Sequence, residues 1–279
     1  TALSLDARCF DAALDAFRRL LSAVDQDPLP ALPERDAKPS FHAVSRRPPG
    51  AGVIDFTQSA DRVTALVRAL DFGDRLNPLA MPKVWLGTMA VRVGGAVRVP
   101  KPAGAVCGEV LHADARTMTI AAKDAAVRFE SVTRLDGTPA NAADVVQRAG
   151  LKAGAVVPSL APDVMRALTD LHEALAPHEA FWAARLAALE PFVWPFPVPS
   201  LPEGAPEWKR KSIALSAAPA DLPARIAQAA AFFARLCGAR AFDLGYCPAR
   251  GAQPVPAAAL VAPVVPFHVE LPHEPGFAP

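Results

Sequence analysis

The chain has 279 residues, 52% of them apolar, with 29 Lys and Arg against 28 Asp and Glu. That length suits roughly two domains with real cores, and so even a charge balance provides no global field to attract nucleic acid or an acidic membrane. Cys9, Cys107, Cys237 and Cys247 form no CxxC pair, which argues against a zinc site or a disulfide framework and fits reduced thiols in a cytoplasmic protein. No apolar run reaches the length of about 18 residues that a spanning helix needs. The apolar tail "PVPAAALVAPVVPFHVELP" is broken by Pro254, Pro256, Pro263 and Pro266, so the chain is expected to be soluble. It opens on Thr1 without a charged-then-apolar leader and is expected to be a piece of a larger protein rather than a secreted one.

The first predicted element is a helix over "LDARCFDAALDAFRRLLSAV", with Phe10, Leu14, Phe17, Leu21 and Val24 along one face and Asp6 as its cap. Such a stripe needs a partner. Residues 27–53 carry Pro28, Pro30, Pro33, Pro39, Pro48 and Pro49 and are expected to form an extended linker lying against a surface. A second helix is predicted over "SADRVTALVRALDF", capped by Ser59, with Val63, Leu66, Val67 and Leu70 on its apolar face.

From Lys83 to about Leu160 the period changes to that of strands. "KVWLGTMAVRV" leads to an expected turn at Gly94-Gly95, followed by "AVRVP", a meander in which Val110, Met118, Ile120, Val127, Phe129 and Val132 are apolar positions set among polar ones around the turns "HADAR" and "KDAA", and a closing stretch "LKAGAVVPSL". Five or six short strands with tight turns predict a small closed barrel, since an open sheet would leave edges to cover.

Beyond it, "DVMRALTDLHEALAPHEAFWAARLAALE" predicts a long helix interrupted at Pro177. Next come the proline-rich "PFVWPFPVPSLPEGAPEW", a strand candidate "KSIALSA", a helix over "LPARIAQAAAFFARLCG" ending at Gly238, and a strand-like finish from Ala241. The fold class expected is therefore α+β: a small β-barrel preceded by helices and followed by a mixed α/β segment.

The order of these parts carries a resemblance. "GVIDFTQSADRVTALVRALDFGDRLNPLAMPKVWLG" is similar to the connector that follows the catalytic domain in methionyl-tRNA formyltransferases and their relatives. "GEVLHADARTMTIAAKDAAVRFESVTRLDGTPANAADVVQRAGLKAGAVV" resembles that family's OB-like C-terminal domain. The opening helix resembles the last helix of the formyltransferase catalytic domain. Further on, "HEAFWAARLAALEPFVWPFP" and "AAFFARLCGARAFDLGYCPARG", with the later "VAPVVPFHVEL", look like stretches from the second half of condensation domains in nonribosomal peptide synthetases. The resemblance implies three parts. Residues 1–82 would be the end of a formyltransferase-like catalytic domain and its connector, 83–160 the OB-like barrel, and 161–279 a condensation-like α/β segment.

Neither resemblance brings its chemistry. The Asn, His and Asp that formyltransferases use to polarise the formyl donor would lie ahead of Thr1, and the HHxxxDG motif of condensation domains does not occur. No catalytic, cofactor-binding or metal-ligating residue is therefore expected in this chain. Formyltetrahydrofolate and phosphopantetheine are implied only for the parent protein.

The remaining candidates read as structural. Asp71-Phe72-Gly73 spells a kinase motif, but it closes a connector helix and no Gly-rich loop accompanies it. His172 and His178, with Glu173 and Glu179, are six residues apart across Pro177. That spacing does not stack two metal ligands on one helix face, so they are expected to be solvated. His268 and His273 are expected at strand edges, with Glu270 or Glu274 the carboxylates nearest in sequence. Trp182, Phe192, Trp194 and Phe196 form an aromatic segment expected to pack across a domain surface, a recognition groove being the alternative.

In the barrel region Arg92, Arg98, Lys101, Arg116, Lys123, Arg128, Arg134, Arg148 and Lys152 face six acidic residues, and only Trp85 and Phe129 are aromatic. Such a surface suits a scaffold better than a grip on tRNA. The function expected is a non-catalytic scaffold fragment of a formyltransferase-like, peptide-synthetase-type protein, with neighbouring domains and a carrier protein as partners. Two alternatives stand beside it. One is a substrate-presenting part of an enzyme that N-formylates an aminoacyl carrier or tRNA. The other is a protein-interaction module using residues 191–208.

Overall fold

In the computed structural model, residues 1–24, 40–75, 77–196, 221–247, 259–262 and 264–271 are described. Residues 27–39 of the linker predicted over 27–53, the "KSIALSA" strand, most of the proline-rich run and His273 lie outside them. The chain divides into two units, Thr1–Pro177 with Ala252–Val261, and His178–Gly251 with Ala262–Pro279.

The first unit is built on a five-stranded antiparallel sheet, β1 (Lys83–Trp85), β2 (Ala90–Val99), β3 (Val110–Ala113), β4 (Met118–Ala121) and β5 (Ala126–Thr133), in the order β1-β2-β5-β4-β3. Period-two alternation turns one face inward. Val110, Met118, Ile120, Val127, Phe129 and Val132 are all buried, as are Val84, Val91 and Val93. Each such side chain contributes about 1.5–3 kcal/mol relative to exposure. Helix α2 (Ala60–Ala69) lays Val63 and Val67 on this core and Leu66 packs at its margin, while Phe56, just ahead of the helix, meets Phe129 edge to face at 6.3 Å. Ser59 caps α2 as expected, accepting from the Arg62 N–H at 3.3 Å. Helix α3 (Ala142–Arg148) adds Val145 and Val146 to the same core.

Asx turns shape the connections. Asp114, in the "HADAR" turn, accepts from the Arg116 and Thr117 N–H groups, each at 2.7 Å, and from the Thr117 hydroxyl. Those hydrogen bonds, led by the Thr117 amide, hold its carboxyl well below the usual carboxylate range. Asp124, in the "KDAA" turn, instead reaches α2 and accepts from the Ala60 N–H at 2.8 Å.

Two expectations are corrected here. The Gly94-Gly95 pair does not turn the chain: both residues sit inside the ten-residue β2, and the turn comes earlier, where Leu86 N–H donates to Met89 O. The glycines serve close approach to β5, because a Cβ on Gly94 would lie 2.7 Å from Ser131 Oγ and one on Gly95 2.9 Å from Glu130 Cβ. Nor does the sheet close strand to strand. It curls into a half-barrel with β1 and β3 as its edges, and irregular segments cover both. Val53 pairs with Lys83 of β1, and Ile54 N–H donates to Lys83 O. The predicted closing stretch "LKAGAVVPSL" covers β3 without forming a regular strand: Val110 exchanges hydrogen bonds with Gly154 and Ala155, and the Val157 N–H donates to Gly108 O. The edges are thus protected without being joined.

Helix α1 (Ala2–Ala23) spans the predicted stripe, but Thr1 is its cap, in a reciprocal arrangement with Ser4. Asp6 pairs with Arg75 at 2.6 Å instead. No α1 residue is buried: Phe10 and Phe17 are more than half exposed, as are Leu21 and Val24. Helix α4 (Pro162–Leu175) begins on a proline, which at this position costs no hydrogen bond. It lies along the 47–52 segment.

In the second unit, α5 (Glu179–Ala187) follows a single 3-10 turn at Pro177. Helix α6 (Leu222–Cys237), capped by Asp221 and ended by Gly238 at φ 65°, covers a two-stranded antiparallel sheet, β6 (Ala241–Tyr246) with β7 (Val265–Glu270). Its small core joins Ala230, Ala234, Phe242 and Val269. Among the described residues, no helix is long and apolar enough to cross a membrane.

Candidate functional site

The two segments that cover the edges of the half-barrel run on into a common cavity. Residues 53–57 leave β1 and residues 157–160 leave β3, and with Trp85 and Met165 they enclose about 410 Å³. A second cavity of about 590 Å³ adjoins it along Val53, Ile54, Asp55 and Met165, and is bounded on its other side by α2 through Arg62, Leu66 and Ala69. Both volumes lie in the range of small-molecule sites.

The shared wall is held by a strained loop. After Pro48 and Pro49 the backbone takes positive φ three times in succession, at Gly50 (59°), Ala51 (56°) and Gly52 (83°). Among the described residues, Ala51 alone does so with a side chain. Two neighbours hold the loop there. From α4, Thr169 accepts the Gly50 N–H at 2.9 Å and Glu173 accepts the Arg47 N–H at 3.1 Å. From β1, the Lys83 ammonium donates to Ala51 O at 2.6 Å and Met81 O at 3.0 Å. Burial of that ammonium pushes its pKa down to about 8.

Among the described residues, Asp55 is the one acidic side chain lining either cavity. Its Oδ1 accepts from the Thr57 N–H at 2.9 Å and hydroxyl at 2.7 Å, and its Oδ2 from the Gln58 amide at 3.0 Å. Partial burial pulls the carboxyl pKa upward, but the hydrogen bonds from Thr57 and Gln58 outweigh it and leave the group below its ordinary value. The cavities therefore present an ionised carboxylate among apolar walls.

In the second unit a charged cluster crosses the sheet. Asp243 of β6 is buried and stands directly opposite His268 of β7, whose Nδ1 lies 3.2 Å from Asp243 Oδ1. Arg185 of α5 pairs with the same carboxylate, and the Glu190 N–H donates to its other oxygen at 2.7 Å. His268 lies on β7, and its carboxylate partner is Asp243 rather than Glu270 or Glu274. Asp243 lies 25 residues earlier, a separation that only strand pairing bridges.

The other predicted positions fall apart in space or serve structure. Glu173 fastens Arg47, His178 and Glu179 are exposed, and no group of three metal-ligating side chains occurs among the described residues. Asp71 accepts from the Gly73 N–H, and its carbonyl receives Leu3 N–H of α1, which ends the kinase reading of that tripeptide. Phe192 packs on Phe233 and Phe242 at 5.3 and 5.6 Å, while Trp194 and Phe196 remain half exposed and Trp182 pairs with Phe181. On the sheet, Arg98 is taken up by Asp61 at 2.7 Å and Asp124 at 3.1 Å, and Arg128 by Glu130 at 3.4 Å.

A curled antiparallel half-barrel, preceded by a helix and a connector strapped to its edge strand, is compatible with an OB-like domain. Residues 48–150 match the family model of the formyl transferase C-terminal domain. The chain therefore carries a formyltransferase-like C-terminal part, and the match takes in the strained loop, α2, the whole sheet and α3. No curated protein matches the chain.

Proposed function

We propose that this chain is a non-catalytic scaffold of a formyltransferase-related protein, in which α1 seats a catalytic domain and the half-barrel holds that domain in place. The observation that carries the reading is the state of α1. Its first turn is fastened to the half-barrel by the Leu3 N–H to Asp71 O hydrogen bond of 3.1 Å and by the Asp6–Arg75 pair, while its 22 residues bury none of their apolar stripe. A stripe of that length, fixed in direction and left in water, is a surface made for another body. The resemblance of α1 to the last helix of the formyltransferase catalytic domain names that body. Formyltetrahydrofolate would then belong to the catalytic domain.

Residues 161–279 fit the same reading as a condensation-like segment of a peptide synthetase. A carrier protein bearing phosphopantetheine would be the partner to which the formyl group is delivered. Formyl transfer from formyltetrahydrofolate to an aminoacyl carrier, measured with the chain alone and with the chain added to a formyltransferase catalytic domain lacking its own C-terminal domain, tests the reading. The chain alone is expected to give no turnover, and its addition is expected to raise turnover by the separate catalytic domain. Turnover by the chain alone, or no effect of adding it, overturns the proposal.

A further inference from the structure

The larger of the two cavities brings an acidic and a basic side chain to an otherwise largely apolar lining. Asp55 stands on the connector, Arg62 on the first turns of α2, and Ile54, Val63, Leu66 and Met165 line the space between them. Each charged group has capacity to spare. Asp55 Oδ2 takes only the Gln58 amide and retains an acceptor site, and the exposed Arg62 guanidinium enters no hydrogen bond or ion pair among the described residues. No ion pair joins the two, so a ligand that satisfies both carries a cation and an anion in one molecule, with an apolar body.

We infer that this cavity binds a free α-amino acid with a large apolar side chain, its ammonium on Asp55, its carboxylate on Arg62 and its side chain over Leu66 and Met165. An ammonium alone would leave Arg62 unused, and a carboxylate alone would meet the negative Asp55. The guanidinium offers a fork of donors that matches a carboxylate. The volume of about 590 Å³ leaves room for a side chain as large as that of phenylalanine. The hydrogen bonds that keep the Asp55 carboxyl ionised serve the same end. The inference does not depend on the proposed scaffold role, because none of the groups it uses lies on α1.

The chain labelled at its methionine methyl groups and titrated with L-phenylalanine, phenethylamine and 3-phenylpropionate tests it by NMR. Phenylalanine is expected to shift Met165 saturably while Met118, enclosed in the core, stays fixed. Phenethylamine and 3-phenylpropionate are each expected to bind at least about tenfold more weakly, the loss expected for one charge-assisted contact. Arg62→Gln, on an exposed side chain, is expected to reduce phenylalanine to the affinity of phenethylamine and to leave phenethylamine unchanged. Asp55→Asn is expected to abolish the preference for the ammonium, and the ligand series carries the same information should that turn fail to fold. The inference is overturned if phenylalanine gives no saturable shift up to about 10 mM, where a site with Kd of about 1 mM would be filled. It is equally overturned if the three ligands bind alike, or if Arg62→Gln weakens all of them equally.

Discussion

Lys83 shows how one side chain ties a strained loop to the sheet. Its pKa near 8 lies below the ordinary 10.5 because burial disfavours the ammonium. Between those two values the unfolded chain keeps a proton that the folded chain has released, so stability should rise as pH goes from 8 to 10.5. The gain is at most about 3 kcal/mol, and Lys83→Met, measured by urea unfolding across that window, should flatten the slope. Gly52 bears on the same loop: at φ 83° a Cβ would lie 2.6 Å from Met81 O, the carbonyl that Lys83 holds. Gly52→Ala is therefore expected to cost about 2–4 kcal/mol in a denaturation experiment. In the second unit, Asp243→Ala leaves the partly buried Arg185 without its carboxylate, at a cost of about 1–3 kcal/mol. Loss of hydrogen-exchange protection in β6 and β7 would report it, and unchanged protection would show that the cluster is incidental. Only part of this was legible in the sequence. Asp114 and Asp124 stand in recognisable turn contexts, whereas Asp243 finds His268 through strand pairing, which no local pattern announces.

Elements were more legible than their joins. Alternation at Val127 and Phe129 and the 3.6-residue period of α2 follow from burying one face, so β5 and α2 fall where the sequence puts them. Gly94 and Gly95 misled because a glycine pair serves a tight turn and a close strand crossing equally well. The covered edges were also hidden. The hydrogen bonds from 53–54 to β1 and from 154–157 to β3 are made by backbone, and side-chain period says nothing of them. The seat of α4 on the 47–50 loop rests on Thr169 and Glu173, two polar residues that a stripe analysis passes over. For α1 the sequence revealed the stripe and the need for a partner. Since the stripe is unburied, Phe10→Asp with Phe17→Asp should change stability by less than about 0.5 kcal/mol in thermal unfolding.

At the scale of the whole molecule, the account joins a half-barrel matched to the formyl transferase C-terminal domain, two adjoining cavities that share Val53, Ile54, Asp55 and Met165, and an exposed helix fixed at one end. Its central claim is that α1 is the seat of a catalytic domain. Hydrogen exchange of α1, with and without a formyltransferase catalytic domain lacking its own C-terminal part, tests that claim most directly. The account predicts slowed exchange from Phe10 to Val24 on mixing, and no slowing in the Phe10→Asp, Phe17→Asp variant whose half-barrel remains folded. Exchange that is the same with and without the catalytic domain would contradict it.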